Sequence, residues 1–392
     1  MAHETRQLNT RIRLAQDVMP DGSGEGRRGM SLMAALGVVL FFLFWLSLLF
    51  LVPYRQFHLT PAWFFEHIQG RFSQLYGFLT GASLDFAITI YQYLAVMVVG
   101  AALAACGCVF KGVFRNELAG PSTMGVMAGG TLGLLIWLLV FVSPDGLHAF
   151  GQADLAAWAE RPLLDVYGRQ VFTLLGCCGS VALVLAVATA AGRGRLSASA
   201  MILSGTVLSA LTGSVSRLLQ YYMILSDPAD PRIETLRDVS MGNFNSINGL
   251  GPLLLLAVPL LVCMAALLIL RRRLNLLTLS EDEALTMGVN VRRYRYLVTA
   301  LGTVMTAVVV AFCGHIGFLG YMLPLIGRRL AGPNMEKLLP VSLLLGAILL
   351  TVVYDMAYVV GLTDSLNLFT SAIGGVVLLI TLLRKGGGAR WS

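Results

Sequence analysis

Long stretches of this chain contain no charged residue, and this feature restricts the fold more than any other. Positions 38–53, 94–110 and 250–270 are each free of Asp, Glu, Lys and Arg. A helix needs about 20 mainly apolar residues to cross a hydrocarbon layer about 30 Å thick. Of the 392 residues, 57% are hydrophobic and only 12% are charged, whereas soluble domains carry about 25% charged residues. Because lipid offers the backbone no hydrogen-bond partner, the pattern predicts membrane-spanning α-helices.

The apolar stretches predict an all-α, polytopic bundle of ten spans. It occupies a transmembrane domain at 30–384, between a cytoplasmic N-terminal tail at 1–29 and a cytoplasmic C-terminal tail at 385–392. The predicted spans are 30–52, 87–109, 122–142, 169–191, 197–223, 248–270, 296–313, 317–328, 339–360 and 366–383. The eighth has 12 residues and would cover about 18 Å, so we expect it to be buried against neighbouring helices.

The basic residues predict which side of the membrane each loop occupies. With both termini inside, most Arg and Lys residues fall in cytoplasmic segments such as 271–295, and the acidic loops 143–168 and 224–247 fall outside. This is the positive-inside pattern, so the net charge of +7 is not interpreted as a nucleic-acid footprint. The polar N-terminal residues lack an apolar stretch and a cleavage site, and they are interpreted as a tail rather than a signal peptide.

All six cysteines lie within apolar spans and are expected to be small buried hydrophobes. No pair has metal-ligand spacing supported by His, and no metal site is predicted. The cysteines are Cys106, Cys108, Cys177, Cys178, Cys263 and Cys313.

A short cytoplasmic helix is predicted at 280–288, within the segment 274–293 between the sixth and seventh spans. Ser280 is a suitable N-cap and Glu283 lies three residues later, as in a capping box. The acidic run from Glu281 favours the positive end of the helix dipole, and Gly288 can end the helix. A helix capped at both ends on a short loop is suited to transmitting force from a soluble partner into the bundle.

Two further motifs accompany this helix. Residues 115–121 read Arg-Asn-Glu-Leu-Ala-Gly-Pro and are followed by Met-Gly-Val at 124–126, while residues 314–320 read Gly-His-Ile-Gly-Phe-Leu-Gly. Together, in this order, the three segments resemble motifs of the FecCD-type permeases, which import iron-siderophores, haem and vitamin B12 in type II ABC importers. Glu117 and His315 each stand where that family has proline, so the chain resembles a divergent member and its cargo cannot be taken from a familiar relative.

The resemblance implies a permease of the bacterial inner membrane that works by alternating access and binds no cofactor itself. ATP and Mg belong to ABC ATPase subunits; this sequence has no Gly-x-x-x-x-Gly-Lys-Ser/Thr loop of its own. The other implied partners are a second permease copy or paralogue and a periplasmic or lipid-anchored binding protein. The predicted ATPase-coupling residues are Ser280, Glu281, Asp282, Glu283, Ala284, Met287 and Gly288.

Several residues are candidates for the translocation pathway or for packing around it, each with an alternative structural role. They are Arg115, Asn116, Gly125, Arg217, His315 and Asp355. Charges inside a membrane are costly and suggest function, but Arg217 can also snorkel to the interface and Asp355 can serve as a structural hydrogen-bond acceptor. The resemblance also implies that basic residues on the outer face receive a binding protein, and Arg55 and Arg71, which lie on the predicted outer face, are the candidates.

Two other classes of protein fit the sequence less well than the importer. An ion-gradient-driven secondary transporter usually places several ionisable groups near the midplane, whereas Asp355 is nearly alone. A membrane enzyme is disfavoured because the spans contain no paired carboxylates, nucleophile motif or metal cluster. Among cargoes, the sequence alone leaves ferric siderophore, haem and cobalamin open.

Overall fold

The computed structural model describes residues 22–50, 84–114, 116, 119–122, 124–142, 163–191, 198–227, 230, 232–276 and 291–385, with the isolated positions 70, 73 and 74. These residues form eleven α-helices and one 3-10 turn at Thr363–Ser365, and no β-strand occurs among them. The helices are α1 (Gly22–Phe50), α2 (Leu84–Phe114), α3 (Val126–Phe141), α4 (Leu163–Ala191), α5 (Ala198–Ser226), α6 (Arg232–Met241), α7 (Leu250–Leu276), α8 (Val291–Cys313), α9 (Leu319–Ala331), α10 (Met335–Val360) and α11 (Leu366–Lys385).

The predicted all-α membrane bundle is confirmed. Eight of the described helices are long and apolar enough to cross a membrane, and each of the ten predicted spans falls on a helix. The third and eighth predicted spans are the shorter helices α3, with 16 residues, and α9, with 13 residues. The additional helix is α6, which lies in the segment predicted to be an acidic outer loop.

Helix α2 forms the centre of the bundle, and glycines let its backbone touch two other helices. A Cβ atom added to Gly100 would lie 2.3 Å from the carbonyl oxygen of Gly346 in α10, and one added to Gly107 would lie 1.7 Å from that of Gly320 in α9. Small residues allow this close approach of backbones where lipid supplies no hydrophobic force between helices. Gly100 and Gly107 therefore let α2 pack directly against α10 and α9.

A second glycine contact joins α3 to α4. A Cβ atom added to Gly133 would lie 2.1 Å from the carbonyl oxygen of Phe172, and one added to Gly176 would lie 2.2 Å from that of Gly129. The four-residue spacing of glycines in α3 thus forms one face that packs directly on α4.

Helices α8 and α9 are separated by a break that lies inside the bundle rather than at its surface. Gly320, at the start of α9, contacts Gly107, which is seven residues, or about 10 Å, from the end of α2 at Phe114. Non-helical backbone at membrane depth is tolerated only where protein surrounds it or where it lines a water-filled cavity. The break at 314–318 is therefore the most unusual element of the fold.

Candidate translocation site

Two left-handed residues shape the break between α8 and α9. Gly314 has φ of 71°, and Phe318, with φ of 62°, is the one non-glycine residue of the described chain with positive φ. A β-carbon in this region costs roughly 1–2 kcal/mol. The ring of Phe318 is 39% exposed, and its Cβ lies where a side chain at Gly374 of α11 would be. The chain thus retains a strained aromatic residue at the start of α9.

Helix α6 packs its C-terminal end against this break. The amide of His315 donates to the carbonyl of Val239 at 2.7 Å, and the amide of Asn243 donates to the carbonyl of Cys313 at 3.0 Å. A Cβ atom at Gly314 would lie 2.5 Å from the carbonyl oxygen of Val239. Two of the backbone groups at the break are therefore paired with α6 and the residue pair that follows it.

The N-terminal end of α11 completes the junction. The amide of Leu366 donates to the carbonyl of Gly242 at 3.1 Å. The side chain of Asn367 accepts from the amide of Gly317 at 3.1 Å and donates to the carbonyl of Ser240 at 3.3 Å. Asn367 therefore ties α6, the break and α11 together, and we call this set of contacts the three-element junction.

The other end of α6 is anchored by an ion pair. The guanidinium of Arg232 contacts the Asp230 carboxylate at 2.6 Å and donates to the carbonyl of Val142, just after α3, at 3.0 Å. Hydrogen bonding by Arg232 lowers the pKa of Asp230. Within α6 itself, burial and the nearby carboxylates of Asp364 and Glu234 raise the pKa of Asp238. The acidic loop of the sequence is thus an ordered, charged helix.

Asp355 accepts hydrogen bonds from two other helices. Its carboxylate oxygens take one hydrogen from the hydroxyl of Ser47 in α1, at 2.5 Å, and one from the hydroxyl of Tyr93 in α2, at 2.8 Å. The neighbouring Tyr354 donates to Gln92 at 3.1 Å. Ser47 and Tyr93 are almost fully buried, so Asp355 connects α1 to the core through polar contacts.

Gly125 lies at the meeting point of three helices. Its φ of 73° is left-handed, it precedes the first turn of α3, and its carbonyl accepts from the Ser180 hydroxyl of α4 at 2.9 Å. A Cβ atom here would lie 3.2 Å from the hydroxyl oxygens of Ser180 and of Ser209 in α5. Any other residue would be strained, because L side chains rarely adopt this φ.

Other predicted site residues fall in different places. Asn116 forms a turn in which its carbonyl accepts from the amide of Ala119 at 3.1 Å. The predicted coupling residues at 280–288 lie outside the described residues, as do Arg55, Arg71 and Arg115. The cysteine prediction is wrong for Cys178, which is exposed while the other five are buried, because it lies on the face of α4 that points away from the bundle.

Arg217 is exposed on α5. It is nine residues before the end of that helix at Ser226, about 14 Å along the axis. Its side chain forms no hydrogen bond or ion pair with the described part of the chain.

Two buried polar residues, Asn243 and Lys111, could not be recognised as such from the sequence. The side-chain nitrogen of Asn243 is buried without a partner among the described residues. Lys111, at the end of α2, is buried, donates to the carbonyl of Tyr321 in α9 and lies 3.9 Å from the centre of its ring. A charged residue near the end of a span looks like an ordinary interfacial anchor until its partner is known. Among the described residues, no group of three His, Cys, Asp or Glu side chains could hold a metal ion.

A bundle of long apolar helices with a break inside it is typical of membrane transport proteins, and comparison with known proteins places this chain among the membrane permeases of ABC importers. The family model described as the FecCD transport family matches residues 39–384, and the chain belongs to that family. It is a transport subunit rather than an enzyme, and ATP hydrolysis belongs to a separate subunit. The predicted resemblance is therefore confirmed, and the secondary-transporter alternative is wrong.

Curated relatives and a solved structure agree with this assignment. The chain is 33% identical to the molybdate import system permease protein of Haemophilus influenzae, over 77% of this chain and 82% of that protein. It is 32% identical to the hemin transport system permease protein of Yersinia pestis, over 76% and 82%. A structure described as an inward-facing metal-chelate type ABC transporter matches with a TM-score of 0.68 and 28% identity, over 91% of this chain and 99% of that one.

Proposed function

We propose that this chain forms the path by which an iron-siderophore-type metal chelate is imported across the bacterial inner membrane, with both termini cytoplasmic. The observation that carries the proposal is the three-element junction. Non-helical backbone from the α8–α9 break, the end of α6 and the start of α11 meets inside the bundle. Such breaks in transporters occur where a path must open.

Alternating access at this junction needs few contacts to change. Two hydrogen bonds of Asn367 and three backbone hydrogen bonds hold the junction together, and buried polar links of this kind are worth about 1 kcal/mol each. A displacement of α9 that breaks these five bonds would separate α6 from the break. The push is supplied by ABC ATPase subunits with bound ATP and Mg, acting on the helix predicted at 280–288.

The complete transporter includes a second permease copy or paralogue and a periplasmic or lipid-anchored binding protein. Arg55 and Arg71 are the proposed docking residues for the binding protein. Surface ion pairs contribute little individually, so replacing one of these arginines should weaken docking less than replacing both.

The cargo proposal draws on the relatives. Their names include a probable iron chelatin permease of Helicobacter pylori and an iron(III)-citrate permease of Bacillus subtilis, both at 28–29% identity, as well as the hemin permease. Molybdate is the second candidate, because the molybdate permease is 33% identical. A ferric chelate and a metal oxyanion are both metal-containing solutes, and uptake assays separate them directly.

The test is uptake by the purified complex. The chain is isolated from native membranes with the proteins that accompany it and reconstituted in liposomes, and radiolabelled ferric siderophores, haemin, cobalamin and molybdate are offered with and without ATP. We expect an ATPase to co-purify and one solute to accumulate only with hydrolysable ATP, unaffected by ionophores. Accumulation that ionophores abolish, or that ignores ATP, would refute the mechanism; accumulation of molybdate alone would correct the cargo.

A further inference from the structure

Helix α5 is almost as exposed as α1 in the single chain but far less hydrophobic, a combination that α11 shares. The membrane-spanning stretches of both helices are mostly unburied in the single chain, and that of α5 has the lowest mean hydropathy of the eight. In α1 the exposed side chains include Val38, Phe41, Phe42 and Leu46, as expected for a helix that contacts lipid. Part of the surface of α5 is therefore suited to contact protein or water rather than lipid.

The exposed side of α5 consists of two adjacent stripes. At helical spacing, an apolar stripe contains Leu203, Val207, Leu211, Val215, Leu218, Tyr222 and Leu225, all exposed. A second stripe follows one edge of the first and contains Thr206, Ala210, Ser214, Arg217 and Tyr221, also exposed. We call the second the polar stripe. A second permease copy covering the apolar stripe would leave the polar stripe facing the space between the copies.

Arg217 is the one charged residue of α5, which contains no Asp or Glu between Ala198 and Ser226. Its guanidinium has neither a hydrogen bond nor an ion pair within the described chain. Ser214 lies one turn deeper and Tyr221 one turn shallower on the same stripe, and a Tyr hydroxyl can donate to an anion. An unneutralised guanidinium in a confined path attracts anions and repels cations.

We propose that Arg217 selects the charge of the cargo, so that the cargo passes the polar stripe as an anion. This rests on the proposed function, because it takes the polar stripe to line the import path. A guanidinium matches carboxylate and oxyanion geometry with paired donors, so anionic chelates with carboxylate or oxo groups are the class that Arg217 would favour. A cationic chelate would be disfavoured at the same point.

The experiment measures the field at one position without requiring the cargo to be known. Ser214→Cys is introduced into the full chain with Cys178→Ser, since Cys178 is the exposed native cysteine. Membrane vesicles are treated with an anionic sulfonatoethyl or a cationic trimethylammonioethyl methanethiosulfonate, and the two labelling rates are compared. Ser226→Cys, at the exposed end of α5, is the labelling control, and Val215→Cys reports on the apolar stripe.

We expect the ratio of the anionic to the cationic labelling rate at position 214 to depend on Arg217. Residues three apart on a helix are about 6 Å apart, and a unit charge at that distance in water changes each rate about threefold in opposite directions. The anionic-to-cationic rate ratio at position 214 should therefore fall about tenfold with Arg217→Gln and stay unchanged with Arg217→Lys. It should also stay unchanged with Arg237→Gln, which removes the same charge from the exposed surface of α6. A thiol pKa change would alter both rates equally and cancel.

Two outcomes would overturn the inference. If position 226 is labelled and position 214 is not, the polar stripe does not face water. If position 214 is labelled but Arg217→Gln changes the anionic-to-cationic rate ratio by less than twofold, Arg217 does not set the electrostatic potential at that position. Neither outcome bears on whether the complex imports a solute with ATP, which the uptake assay measures separately.

Discussion

The contact between Gly107 and Gly320 allows the most direct calculation from this structure. With Gly107→Ala, the new Cβ would lie 1.7 Å from the carbonyl oxygen of Gly320, and real Cβ atoms essentially never approach closer than 3.0 Å. The neighbour is backbone rather than a flexible side chain, so α2 and α9 must separate by about 1.3 Å. Overpacking of this kind costs about 1–3 kcal/mol or more, well above the gain of up to about 1 kcal/mol from replacing Gly by Ala in a helix.

The matched control is Gly179→Ala in α4, where an added Cβ meets nothing within 4 Å. Both proteins are purified in the same detergent, and the temperature of half-unfolding is read from the loss of the monodisperse chromatographic peak. We expect the half-unfolding temperature of Gly179→Ala to equal or exceed that of the unchanged protein, and that of Gly107→Ala to be clearly lower. Because α9 follows the break, Gly107→Ala should also reduce uptake. Equal stability of the two variants would refute the close contact of α2 with α9.

Three further predictions concern other contacts. Tyr93→Phe removes one of the two hydroxyl donors to Asp355 and should cost about 0.6–2 kcal/mol in thermal stability; no loss would mean that Asp355 gains nothing from α2. Phe318→Gly should be more stable than Phe318→Ala by about 1 kcal/mol, the reverse order from a helix interior, because only Gly relieves the positive φ; the ordinary order would contradict the strain. Gly288→Pro should leave insertion and ATP hydrolysis intact but abolish uptake, and normal uptake would exclude the coupling role.

The spans were predictable because their cause is local. An apolar stretch of about 20 residues with few charges has few alternatives to a membrane helix, and each of the ten predicted spans falls on a helix. The short eighth span was also correctly expected to pack inside the bundle. Its start contacts α2 at Gly107, a partner that the sequence alone does not identify.

Helix α6 shows why other elements could not be predicted. It is ten residues long and has two buried residues, Leu236 and Val239, too few for an apolar pattern to stand out from an acidic loop. Its position depends on hydrogen bonds to Val142 and to the break, which join residues about 75–95 positions apart in sequence. A propensity-based prediction contains no information about such partners.

Arg217 illustrates how a correct sequence observation can leave the function open. An arginine in an apolar span is compatible with snorkelling to the interface and with lining an aqueous path, so the residue type alone does not distinguish the two roles. The residues around the arginine distinguish them. A snorkelling arginine needs only a route to the interface, whereas a path also needs polar neighbours deeper than the charge. Ser214 and Thr206 lie on the same stripe on the deeper side of Arg217, which favours the path. The hydroxyls of Thr206 and Ser214 donate to carbonyls of the preceding helical turn, so both side chains would also be tolerated in lipid. The polarity of the stripe therefore does not decide between the two explanations. Labelling of a cysteine at position 214 by a water-soluble reagent does.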